Sequence, residues 1–248
     1  MTLDSSLRWN GNFQLGKYCL LKKAKNIKII SIDLFRTIVD IDQTPDIIWR
    51  MFLRDNFPDE IAKINYRIAD EIMDRHWGTA GIDDKHFKSV RTVLEDVVTE
   101  LFQKINLDYS LKQASNDLMA VHNAQKIFAD AKPFLEKMGQ KYTICLSTDC
   151  DLEMMENVHE IYHFDTMFVS ETLQMYKLNP GFFRYIIDYY NLPPANILHI
   201  GDSRSDIITP KQLGIRTCWL NRRNLKWDHD VKPDFEVKSL LEILDILD

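Results

Sequence analysis

Four short stretches of the chain carry the side chains that can do chemistry. Asp33 ends the apolar run "IKIISID", Ser147 and Thr148 end "YTICLST", Lys177 stands in "MYKLNPGFF", and Asp202 and Asp206 lie four apart in "GDSRSD" after "NILHI". Three carboxylates offer hard oxygen donors, the set that suits Mg2+ with water and substrate filling the remaining octahedral positions. Lys177 adds a cation for an anionic substrate. Taken singly, each residue has a plainer reading: Asp33 as a cap or turn residue, Gly-Asp as a turn, Lys177 as solvated surface. Their conjunction, each at the same end of its own element, singles them out.

That end is the carboxyl edge of a parallel sheet, where ligands bind in open α/β folds. From about residue 26, and again from about 130, the apolar runs "IKIISI", "YTICLS", "DTMFVS", "NILHIG" and "IRTCWL" alternate with amphipathic stretches such as "GFFRYIIDYY". The expected fold class is α/β, a doubly wound, Rossmann-like parallel sheet covered on both faces. Between roughly 41 and 128 the strands vanish. There "DIIWRMFLRDNF", "EIAKINYRIADEIMDRHW", "FKSVRTVLEDVVTELFQKI" and "SLKQASNDLMAVHNAQKI" repeat apolar residues at three- and four-residue steps, as amphipathic helices do. The pattern predicts a core built from 1–40 and 129–248, with a helical domain over 41–128 inserted after the first strand. Residues 1–25 form an extension, with a short strand expected around "FQLGKYCLL".

Composition narrows the function classes. Lys and Arg total 31 against 37 Asp and Glu, a net charge of −6 with no long basic run, which argues against nucleic acid as a partner. Cys19, Cys145, Cys150 and Cys218 are irregularly spaced and read as reduced thiols. The first residues lack the apolar stretch of a signal peptide, and no apolar run approaches the ~20 residues of a spanning helix. A soluble, cytoplasmic protein acting on a small molecule is expected. His199, inside "NILHIG", reads as a hydrogen-bonded core group rather than a base, and Cys150 as a buried thiol.

The order of the four stretches resembles the haloacid dehalogenase superfamily, over about residues 27–222 apart from the insert. Motif one of that family is Asp-x-Asp-x-Thr after an apolar strand; here it stands as Asp33, Phe35 and Thr37, with the middle Asp replaced. Ser147 matches the second motif, Lys177 the third, and Asp202 with Asp206 the acidic fourth. The insert stands where members with a type 1 cap carry their substrate-covering helices. Arg36 departs from the usual Gly or Asn, and Leu178 from the Pro that often follows the lysine.

The resemblance implies a phosphatase-like hydrolase of a small phosphorylated metabolite. Asp33 is the nucleophile that forms an aspartyl-phosphate, Ser147 and Lys177 assist it, and Mg2+ lies on Asp33, Asp202 and Asp206. Phe35, Arg36 and Thr148 are expected to touch substrate, with backbone N–H groups of 34–36 on a phosphoryl oxygen. Phe35 leaves one role open, because the family's second Asp moves protons, a contribution of about 10²–10⁴ in rate. The leaving group needs no acid, or Asp149 or a cap residue substitutes, or a halide is displaced from carbon as in the family's 2-haloacid dehalogenases, which also carry an aromatic residue here. A fourth possibility is a ligand-binding homologue with little turnover. The intact "GDSRSD", and Thr148 where those dehalogenases have Asn, favour the phosphatase.

Overall fold

The computed structural model describes residues 23–41, 49–79, 87–123 and 126–247. The strand expected around "FQLGKYCLL", and Cys19, lie outside the described residues. Strand β1 (Ile29–Ile32) is buried along its whole length. Ile30 and Ile32 enter one apolar cluster and Ile29 the other, so both faces of the strand are covered. A continuous apolar run, rather than strict alternation, is what such a strand requires.

A second, two-stranded ladder marks the point where the chain leaves the core and returns. Strand β2 (Val39–Asp40) pairs antiparallel with β3 (Lys126–Ile127), Val39 opposite Ile127 and Asp40 opposite Lys126. The expected strand-free stretch therefore ends short of 128, since a two-residue strand is too brief to leave a periodic signal. Among the described residues, three α-helices lie between these strands: α1 (Asp59–Thr79), α2 (Val90–Ile105) and α3 (Leu111–Asn123). In α2, Val90, Val93, Leu94, Val97, Val98, Leu101 and Phe102 form the buried stripe that its three- and four-residue spacing predicts. Ser89 caps its first turn by accepting the Thr92 N–H, and Asn106 ends it in the left-handed region at φ 54°. The stretch "WRMFLRDNF" departs from expectation. It forms a short π-helical segment, Arg50–Arg54, that buries Phe52 and Leu53, and the next helix starts at Asp59, just after Pro58.

After β3 come α4 (Ala131–Met138), β4 (Thr143–Thr148), β5 (Thr166–Val169), α5 (Pro180–Tyr190), β6 (Ile197–Gly201), β7 (Arg216–Leu220) and β8 (Phe235–Val237). The six-stranded sheet runs β5-β4-β1-β6-β7-β8 with every neighbouring pair parallel. The doubly wound α/β class read from the sequence is the one observed. Helix α5 buries Phe182, Phe183 and Ile186 against Ile29, Cys145, Phe168 and Ile197 on one face, and α4 sets Phe134, Leu135 and Met138 against the other. Full burial of each such side chain contributes about 1.5–3 kcal/mol. Strand β8 was not expected; its three residues "FEV" carry too little pattern. Among the described residues, no helix is long and apolar enough to cross a membrane.

The insert is fastened to the sheet at the start of α2. Asp151, buried just past β4, accepts the backbone N–H groups of Val90 at 2.7 Å and Arg91 at 2.8 Å, one on each carboxylate oxygen. An anion there meets two N–H groups with no partner inside the helix and the positive end of its dipole. The Arg91 guanidinium grips Glu153 with two 2.6 Å hydrogen bonds, and the Tyr176 hydroxyl donates to the Lys88 carbonyl at 2.7 Å.

Candidate active site

The central strands β4, β1 and β6 are adjacent, and each ends in candidate residues. Asp33 follows β1, and its backbone N–H donates to the Ile200 carbonyl of β6 at 2.9 Å, extending the ladder one residue to hold the carboxylate. Gly201 ends β6 because Asp206 folds back over it: a Cβ there would fall on the Asp206 carboxyl group. Ser203 and Asp206 close a reciprocal cap, with the Ser203 N–H and hydroxyl both donating to Asp206 Oδ2, at 3.0 and 2.6 Å. Lys177 precedes α5, and its ammonium donates to Asp33 Oδ1 and Asp206 Oδ1, each at 2.6 Å.

One oxygen each from Asp33, Asp202 and Asp206 lies within 4.8 Å of the others. Burial pushes Asp33 up to about 8 against the opposing charge of Lys177, with Asp206 and Asp202 adding to the rise. Asp202 is raised to about 6, again first by burial and then by Asp206. Asp206 resists its own burial because Lys177 and His199 hold it below the ordinary carboxylate range. Burial would lower Lys177, yet Asp206, Asp33 and Asp149 keep it well above its usual value and charged. One ammonium among these carboxylates leaves negative charge uncompensated, and hard oxygen donors at this spacing fit a divalent cation such as Mg2+. Asp206 accepts four hydrogen bonds, as many as its lone pairs. The Ser203 hydroxyl, which also lies 2.8 Å from Ser205 Oγ, is the donor that can turn away to free one.

Beneath the carboxylates runs a buried polar chain that the sequence reading missed. Ser147 Oγ lies 2.7 Å from Ser31 Oγ, Ser31 Oγ 2.7 Å from His199 Nδ1, and His199 Nε2 2.9 Å from Asp206 Oδ1. Burial lowers the imidazole, with Asp206 opposing, so His199 is neutral. An ionised Asp206 only accepts, so Nε2 carries the proton, Ser31 donates to Nδ1, and Ser147 donates to Ser31. The Ser147 proton therefore points into the sheet. His199 is the hydrogen-bonded core group expected. The available signal was a polar residue in each of two buried strands, and the register sets Ser31 opposite His199.

The other expected substrate contacts divide. Phe35 and Arg36 line a cavity of about 430 Å3 beneath the insert, along with Trp49, Trp77, His122 and Asp149. The Phe35 ring stands edge-on to His122, centroids 6.2 Å apart. Arg36 adopts φ 57°, the left-handed conformation that a Gly or Asn takes more easily; its charge acts on Asp202. Thr148 is fully buried, is not among the residues lining this cavity, and acts on the Cys150 thiol, while the buried Thr37 hydroxyl has no partner among the described residues. Cys145, Cys150 and Cys218 are buried free thiols, and burial pushes Cys150 upward, as an inert thiol requires.

A sequence profile of the haloacid dehalogenase-like hydrolases matches residues 62–220. The chain belongs to that family. Asp33 lies upstream of the matched stretch and rests on its own strand and partners. The chain is 25% identical over 236 residues to a phosphoglycolate phosphatase of Aliivibrio fischeri, covering 89% of this chain and 97% of that one. A pyrimidine 5'-nucleotidase of Escherichia coli, YjjG, is 31% identical over 87 residues, 34% of this chain and only 39% of that protein. The HAD hydrolase YfnB of Bacillus subtilis, solved bound to magnesium, superposes with a TM-score of 0.71 at 18% identity, covering 90% of this chain and all of the other. The L-2-haloacid dehalogenase RSc1362 also gives 0.71, at 18% identity over 88% and 97%. At these identities the structures share the HAD fold.

Proposed function

We propose that the protein is a Mg2+-dependent phosphohydrolase of small phosphorylated metabolites. The observation that carries this reading is the Asp33, Asp202 and Asp206 cluster with one ammonium in it, a donor set that displacement of halide from carbon does not need. Mg2+ held by the three carboxylates would neutralise phosphoryl oxygens that an anionic nucleophile must approach. Lys177 opposes the upward shift of Asp33, a divalent cation on the same carboxylate would complete its ionisation, and the ammonium shares its charge with the incoming phosphoryl group. Asp33 attacks phosphorus, the bond to the leaving oxygen breaks, and water hydrolyses the resulting aspartyl-phosphate. Arg36 and the backbone of 34–36 form the wall that meets the substrate, and Thr148, fully buried, would reach it only by a change of packing. Ser147 serves by anchoring the buried chain under Asp206 and donates to substrate only if its hydroxyl leaves Ser31. The helices over 41–128 act as a cap that excludes water.

Phe35 favours a second reading, 2-haloacid dehalogenase-like hydrolysis, since it puts an aromatic wall beside the nucleophile where an acid would stand. A third is a ligand-binding homologue with little turnover. Aryl, acyl and alkyl phosphates and 2-haloacids, each with and without Mg2+, separate the three. Phosphate release only with metal is expected; metal-free halide release would install the second reading, and stabilisation by ligand without turnover the third.

A further inference from the structure

Phe35 has no proton to give, yet the cavity it lines contains a carboxylate from another strand. Asp149, two residues past Ser147, is a wall of the same cavity. Its Oδ1 accepts the Lys177 backbone N–H at 2.8 Å, and its other oxygen has no hydrogen-bond partner among the described residues. The two ends of Lys177 thus bracket the chemistry, the backbone holding Asp149 and the ammonium holding Asp33. Of the other acidic walls, Asp70 and Asp74 are exposed on α1, at the rim. His122 also faces Phe35, but Nδ1 is 2.7 Å from the Leu118 carbonyl, and burial lowers the ring. It is neutral and has no proton to supply in a first step.

We propose that Asp149 is the acid and base that the motif-one position lacks, serving the same phosphohydrolase site. This rests on the phosphohydrolase reading. In the first step Asp33 Oδ bonds to phosphorus, the phosphorus–oxygen bond to the leaving group breaks, and the Asp149 carboxyl proton passes to that oxygen. In the second, water attacks phosphorus, the bond to Asp33 breaks with its electron pair returning to Asp33, and the Asp149 carboxylate takes the water proton. Alcohol and inorganic phosphate leave, and both carboxyl groups are restored. Burial, with Lys177 opposing, raises Asp149 to about 6, which suits a group that must both give and take a proton near neutrality.

Aryl phosphates of graded leaving-group acidity test this, with Mg2+ present and phenolate release followed in the pre-steady state. Asp149→Asn keeps the acceptor for the Lys177 N–H. It should slow release from phenyl phosphate about 100-fold and from 2,4-dinitrophenyl phosphate less than 10-fold, because the better leaving group needs no proton. Adding Phe35→Asp to Asp149→Asn should return the shallow leaving-group dependence. An Asp149→Asn enzyme whose leaving-group dependence matches that of wild type overturns the assignment while the phosphohydrolase reading stands. No release by wild type from any ester overturns both. Should Asp149→Asn not fold, Asp149→Ser, which also removes the carboxyl group, is read against the same series, and an unchanged dependence there is equally fatal.

Discussion

The ammonium of Lys177 lies 2.6 Å from Oδ1 of Asp33, although 144 residues separate them. Both side chains are almost wholly buried, so the pair exists only in the assembled fold. Lys177→Met should destabilise the protein by about 3–5 kcal/mol, since it leaves Asp33 and Asp206 without their cation. Urea unfolding measures this, and Mg2+ should recover part of the loss. A variant as stable as wild type would mean that the ammonium contributes nothing to holding the carboxylates.

Mg2+ should raise the melting temperature of wild type and have little effect on Asp202→Asn. The side chain of Asp202 is only 14% exposed and, unlike Asp206, it is not saturated by protein donors. At the proposed Mg2+ site it would therefore be the carboxylate whose loss the ion feels most directly. Equal shifts in the two proteins would remove Asp202 from the site.

Asp151 fastens α2 to the sheet side, so Asp151→Ala should cost about 1–2 kcal/mol as a lost cap and loosen the insert more than the core. Limited proteolysis reads the difference: cleavage within 41–125 should speed up well before core peptides appear. Uniform acceleration throughout the chain would show that Asp151 supports global stability instead.

Asp130 receives two hydrogen bonds from Arg222, one from Ser239 and one from the Leu240 N–H. Burial would raise it, but these donors hold it below its unperturbed 3.8. Its stabilisation is therefore complete above the unfolded value and fades as pH falls through the depressed folded one. The melting-temperature gap between wild type and Asp130→Asn should be widest near pH 7 and shrink below about pH 4. A gap that persists unchanged at pH 2 would contradict this.

What the sequence made legible was whatever depends on local period and position. Asp33, Lys177, Asp202 and Asp206 each follow a recognisable run, and a parallel sheet necessarily gathers the carboxyl ends of its strands. The chain from Ser147 through Ser31 and His199 was hidden because it depends on register between strands far apart in sequence, and a buried Ser or His resembles an ordinary core group. The grip of Asp151 on Val90 and Arg91 was hidden for the same reason, as partners 61 and 60 residues apart leave no local trace. Strand β8 escaped because three residues cannot establish a period. The φ of 57° at Arg36 had a partial signal, since a bulky residue stood where Gly or Asn is usual.

The pairing of Val39 with Ile127 and Asp40 with Lys126 sets the two crossing points side by side. A polymer whose ends already meet can be shortened or lengthened between them with only a logarithmic change in closure entropy. A stretch of chain between these stems should accordingly tolerate exchange, provided its replacement covers the apolar side chains of the sheet that Phe52 and Leu94 share a cluster with. Helices of another length or sequence could be carried on the same pair of stems. New specificities could then arise here by exchange of the whole stretch, without any revision of the strands that hold Asp33.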